Sequence, residues 1–151
     1  MHSRIFQVSQ EPIKEPLTES RYYDYEGTDG IDYIVKSNEK DVDIKWLKQV
    51  TKGLEVTEDT IKVVSKKEYF ENSFLEFQEL IKKYSEYTIE DFVNCHNWID
   101  FYRLKDAYDN KLSFKIDDND EEYGLTSLDN WVRNVEEGKT YYIGSTFDYH
   151  F

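Results

Sequence analysis

An α+β fold with a mainly antiparallel sheet is predicted by three observations. Strand-like segments stand near both ends of the 151-residue chain, a hairpin lies between them, and helical patterns cluster in the middle instead of alternating with strands. A chain of βαβ units would alternate, so the order favours a sheet with four to five helices packed mostly on one of its faces. The length suits one domain spanning residues 1–151, with no linker, repeat or low-complexity tail.

Ser3 to Ser9 reads as a first and central strand, because Ile5, Phe6 and Val8 supply apolar groups to both faces. Pro12 and Pro16 forbid regular ladder pairing after it. Residues 17–30 carry no clear period, and Ile31 and Ile34 suggest a short helix over 28–36. Asn38 or Asp41 is expected to cap a helix bearing Ile44, Trp46, Leu47 and Val50, with Gly53 at its C′ position. Leu54 to Val56 and Ile61 to Val64 then form a hairpin around Glu58-Asp59.

The clearest pattern follows. Phe70, Phe74, Phe77, Ile81 and Tyr84 line one stripe of a helix over 65–84, which Ser65 and Glu68 open as a capping box. This helix is the element around which the others would pack, with Leu75 turned away from the stripe. Thr88 with Asp91, and Asn97 with Asp100, mark two further helix starts. Leu112, Phe114 and Ile116 alternate with polar residues as a one-face strand over 112–116. An acidic turn leads to Gly124, and Thr126 or Ser127 starts a helix with Trp131, Val132 and Val135 that stops at Gly138. The last strand, 140–151, sets Tyr141, Ile143, Phe147, Tyr149 and Phe151 on one face and Tyr142, Thr146, Asp148 and His150 on the other.

Charge is the most informative global property. The net charge is −13; residues 1–75 hold 15 acids against 11 bases, and residues 76–151 hold 17 against 8. Neutralising phosphates takes clustered Lys and Arg, so direct nucleic-acid binding and attachment to an anionic membrane are both disfavoured. A basic protein surface is attracted instead. The plain alternative is acidity for solubility alone. No run approaches the ~18 apolar residues of a membrane span. A single Cys allows no internal disulfide, and the cytoplasm is the expected setting. Thirteen Tyr imply many half-buried rings whose hydroxyls need partners or water.

Motifs exclude more than they assign. Counted from Asp117 as an EF-hand loop, the sixth residue is Glu122 and the twelfth Leu128, so the calcium pattern fails and a solvated turn is expected. Cys95-His96 is the only Cys/His neighbourhood, and one thiol with His2 and His150 elsewhere makes no structural zinc set. There is no GxSxG, HExxH or phosphate-cradling glycine loop, and no cofactor or metal is expected.

The expectation for function is therefore an acidic binding or inhibitory module, with catalysis left open because absence of a motif is not proof against it. Its partner-facing residues would be Asp117, Asp118, Asp120, Glu121 and Glu122, with Asp24 and Glu26 beside Tyr23 and Tyr25. Two forms fit: a nucleic-acid mimic of the antirestriction or anti-CRISPR type, and an immunity partner of a basic toxin. The alternatives are a small enzyme or small-molecule binder with a Tyr/Trp-lined pocket and a carboxylate pair, and a homo-oligomeric structural component. The oligomeric state is not fixed by the sequence.

Overall fold

A computed structural model describes residues 2–17, 31–94, 98–109, 111–121 and 124–150, the side chains of 98–100 excepted. In chain order the elements are β1 His2–Ser9, β2 Tyr33–Lys36, α1 Lys40–Val50, β3 Leu54–Val56, β4 Thr60–Val63, α2 Lys66–Ser85, α3 Ile89–Val93, α4 Trp98–Tyr108, β5 Lys115–Asp118, β6 Leu125–Ser127, α5 Leu128–Asn134 and β7 Thr140–His150. The seven strands form one mixed, largely antiparallel sheet in the order β3-β4-β7-β1-β5-β6, with β2 also on β7. Only β1 and β5 run parallel.

β7 is the hub. It pairs along its length with β1, while its other edge takes β4 over residues 140–142 and β2 over 147–150. A bulge interrupts the β1–β7 ladder: Phe6 opposes Thr146, but Val8 opposes Ile143, so β7 carries one extra residue there. Ile143 and Thr146 consequently share a face. The alternation expected along 140–151 is thus corrected: Tyr141 and Ile143 lie in the core on one side of the sheet, Phe147 and Tyr149 in the core on the other. A strict period of two would have kept all four together.

Gln7 holds the bulge. It is fully buried, and its Oε1 accepts from Ser145 N (3.0 Å) and Leu17 N (3.1 Å). Its Nε2 donates to Asn119 Oδ1 (3.3 Å). A Cβ at Gly144 would collide with Gln7 Oε1, so glycine leaves room for the amide.

The larger core joins Phe6, Val8, Ile116, Tyr141 and Ile143 to Ile44 and Leu47 of α1 and to Leu128, Trp131 and Val132 of α5. Ile5, Ile31, Ile34, Phe147 and Tyr149 form the smaller one, flanked by Leu17 and Leu125, with no helix residue in it among the described residues. Helix packing on one face is therefore as expected. Each fully buried Phe, Ile or Leu in these layers contributes about 1.5–3 kcal/mol.

Four expectations are corrected. Residues 33–36 are a strand, not a helix: Tyr33, Ile34 and Val35 favour extended backbone, and β7 offers an open edge. Ser113 has φ 56°, which breaks the extended run at 112–114, so β5 starts at Lys115 and continues through Asp117 and Asp118. Leu125 to Ser127, expected as loop and helix start, first pair with β5 as β6 before Ser127 caps α5 through Asn130 N (3.0 Å). α1 is preceded by Glu39 with no side-chain cap, and Gly53 (φ 69°) lies beyond its C-cap residue Thr51.

Among the described residues, the helix expected to organise the fold meets the larger core only through its N-terminal end, where Tyr69 and Phe70 pack against it. Ser65 caps α2 by accepting from Glu68 N (3.2 Å). The shielded stripe, however, runs through Tyr69, Ser73, Phe77, Leu80 and Tyr84, while Phe74 and Ile81 are exposed. α2 packs mainly on α4: Tyr84 stacks on Phe101 at 4.7 Å, Phe77 meets Tyr108, and Glu76 pairs with Arg103 and Lys111. Leu75 is exposed, as are Ile89, Phe92 and Val93 of α3, which starts at Thr88 as read and there forms with Asp91 the reciprocal capping box expected at Ser65 and Glu68. No helix among the described residues is long and apolar enough to cross a membrane.

Candidate functional site

Where β1 ends, β7 begins and β5 turns toward β6, the sheet edge and α5 enclose a cleft of about 550 Å³. Its wall includes Asp118, Glu121, Trp131, Glu136, Lys139 and Tyr141. α5 sets Trp131 over the sheet, edge-on to Tyr141 at 5.0 Å and 74°. The Trp131 indole Nε1 donates to Asp118 Oδ2 (3.1 Å), and both groups are buried.

The acidic turn is built around Asp118. Its Oδ1 accepts from Asp120 N (3.0 Å), and its backbone O accepts from Glu121 N (3.2 Å). Asp120 reaches back to the end of β1, accepting from Gln10 N (2.7 Å) and Ser9 Oγ (3.3 Å). Gly124 lies so close to Asp118 O and Asp117 Oδ1 that a Cβ there would collide with both. The turn is therefore fastened to its neighbouring elements, with the backbone amides of Asp118, Asn119, Asp120 and Glu121 all satisfied.

Carboxylates gather here without cationic partners. Burial raises the Tyr141 phenol above its ordinary value of 10.0, and Asp118, Asp120, Glu121 and Glu136 raise it further. One hydroxyl thus feels four acids from two segments, the turn at 118–121 and the residue pair after α5 that holds Glu136. Among the described residues, none of the four forms an ion pair with Lys or Arg. Lys139, on the same wall, lies with its Nζ over the Tyr141 ring, 5.7 Å from the ring centre. Such a cleft attracts a cation and offers two aromatic walls on which one can rest.

The sequence-predicted residues divide three ways. Asp120 and Glu121 are exposed at the rim. Asp117 and Asp118 are buried in β5, which corrects the expectation that the whole turn is solvated. Glu122, Tyr23, Asp24, Tyr25 and Glu26 fall outside the described residues, as does the Cys95-His96 doublet. Sequence reasoning missed Trp131, Glu136 and Tyr141 as members of this site. No linear signal joins them to residue 118; only the β1–β5 and β1–β7 pairings do.

Comparison with protein-family models, with curated proteins and with solved structures gave no match. The fold and site define a class: an α+β domain with an anionic, aromatic-walled cleft at one end of its central ladder.

Proposed function

We propose that the protein is an acidic binding module whose cleft beside Trp131 receives a lysine or arginine side chain from a basic protein surface. The observation that carries this reading is the convergence of Asp118, Asp120, Glu121 and Glu136 on Tyr141, with no ion pair to offset them among the described residues. A guanidinium entering there would meet carboxylates at the rim and lie against the Trp131 and Tyr141 rings. Charge would speed encounter, and the buried rings would supply the desolvated contact that charge alone does not. An inhibitor whose carboxylates stand in for phosphates, and an immunity partner of a basic toxin, are the two forms of this activity. A cytoplasmic setting belongs to the same reading and rests on the single cysteine of the sequence.

Calorimetric titration with a short Arg/Lys peptide tests it. Affinity is expected to fall as salt rises from 50 to 300 mM, because exposed charges are screened over roughly one Debye length. The double variant Glu121→Gln/Glu136→Gln is expected to weaken binding by about tenfold, the loss of roughly 1.4 kcal/mol of ion-pair energy. A variant that binds as tightly as the parent would overturn the proposal.

A further inference from the structure

At the opposite end of the β1–β7 ladder, two histidines far apart in sequence become direct cross-strand neighbours: His2 pairs with His150. They project from the face that also carries Arg4 and Asp148, beyond the part that α1 covers. Their ring centres lie 5.2 Å apart at an interplanar angle of 67°.

Each ring is held through Nδ1. His150 Nδ1 lies 2.7 Å from Asp32 Oδ2, and His2 Nδ1 lies 3.1 Å from Asp148 Oδ2. Tyr33 links the pair, stacking on His150 at 5.8 Å and 3° while its hydroxyl meets His2 Nδ1 at 3.1 Å. A carboxylate facing Nδ1 favours the tautomer with hydrogen on that nitrogen, which leaves the Nε2 lone pair as the acceptor. This is the arrangement around imidazoles that ligate metals, where the second ring nitrogen donates to a carboxylate that fixes orientation and raises basicity.

The spacing fits as well. With metal–nitrogen bonds of about 2.0–2.1 Å and a ring centre about 1.2 Å behind each nitrogen, a tetrahedral ion holds two imidazole centres roughly 5.2 Å apart. Asp148 does not complete a protein-ligand set, because it is also bound by Arg4 (2.5 Å), itself tied to the buried Asp43 (2.5 Å). No group of three or more His, Cys, Asp or Glu among the described residues is arranged around one ion. Two imidazoles with solvent in the remaining positions make a chelate rather than a closed structural site.

We propose that His2 and His150 form a two-imidazole chelate for a borderline divalent transition-metal ion, Zn²⁺, Ni²⁺ or Cu²⁺. Imidazole ligands suit these ions and not Mg²⁺ or Ca²⁺. Asp32, Asp148 and Tyr33 are positioning residues that hold the rings and do not touch the ion.

Titration of the full chain, its α-amino group acetylated, with Zn²⁺ in a calorimeter tests this. One ion per chain is expected, with Mg²⁺ giving no heat. His150→Gln and His2→Gln should each weaken Zn²⁺ binding by at least tenfold. Asp32→Asn should weaken it by about tenfold while both histidines remain. Nickel should broaden the imidazole resonances of these two residues before any other. Absence of Zn²⁺ binding at 100 µM by the folded chain would overturn the proposal, and so would parental affinity in His150→Gln. Both strands also carry the fold, so unchanged circular dichroism of each variant separates loss of the ligand from loss of structure.

Discussion

The two ends of the β1–β7 ladder, roughly 24 Å apart at 3.4 Å per residue, handle their carboxylates in opposite ways. At the His2/His150 end every described acid has a cationic or imidazole neighbour: Asp43 and Asp148 share Arg4, and Asp32 faces His150. At the Ser9/Thr140 end the acids are held by neutral donors, namely the Trp131 indole, the Ser9 hydroxyl and backbone amides. Neutral donors fix geometry and leave the charge in place; a guanidinium cancels it. A net charge of −13 thus says little about function until one knows which acids are cancelled. The acidic end keeps its charge without an ion pair among the described residues, whereas at the other end one guanidinium offsets part of the charge of the two carboxylates it bridges.

The strongest way to break this comparison is to remove the cation from the balanced end. Arg4→Met leaves Asp43, 1% exposed, as a buried carboxylate with only Thr146 Oγ1 donating to it at 2.7 Å. A loss of about 3–5 kcal/mol in chemical denaturation is expected. Gln7→Leu comes next. It strands Ser145 N and Leu17 N and unfastens the bulge that assigns the residues of β7 to opposite faces, at an expected cost of about 2–3 kcal/mol. Removing negative charge at the acidic end should do far less. Glu121→Gln/Glu136→Gln is expected to hold or raise stability by about 0.5 kcal/mol, since like charges are relieved and no partner cation is stranded.

Ionisation sharpens the same contrast. In that double variant the Tyr141 phenol should titrate at lower pH than in the parent yet still above 10, because burial, its largest cause, remains. Tyr149, beyond the bulge, is pushed up to about 12 by burial alone and should not move. A phenol whose folded value is raised favours the neutral form, so its stabilisation is complete below pH 10 and is lost as pH climbs toward 12. Site-resolved ¹³C NMR of the tyrosines across alkaline pH checks both statements.

Much of the fold was legible because local rules and tertiary structure agreed. The hairpin at 54–63, the caps at Ser65, Thr88 and Ser127, and the terminal strand all follow from period and turn chemistry. Other features needed a neighbour to be seen. The Phe stripe at 70–84 announces a helix but not its partner; packing on α4 turns the shielded face by about 60°, so Phe77 and Tyr84 stay shielded while Phe74 and Ile81 do not. Residues 33–36 become a strand because β7 has an edge to fill. The bulge depends on a glutamine 138 positions from the amide it accepts. The site divides in the same way: Asp120 and Glu121 stand out as an acidic run, whereas Trp131, Glu136 and Tyr141 join them only once strands pair.

The most direct test of uncancelled charge at the Ser9/Thr140 end is an amide chemical-shift map of the ¹⁵N-labelled chain titrated with an arginine-containing peptide at low salt. The account predicts perturbations centred on Asp118, Asp120, Glu121, Trp131 and Tyr141, with the Trp131 indole resonance moving most and little change at His2, Asp148 or His150. Shifts spread evenly over the surface, or centred on the His2/His150 end, would contradict it.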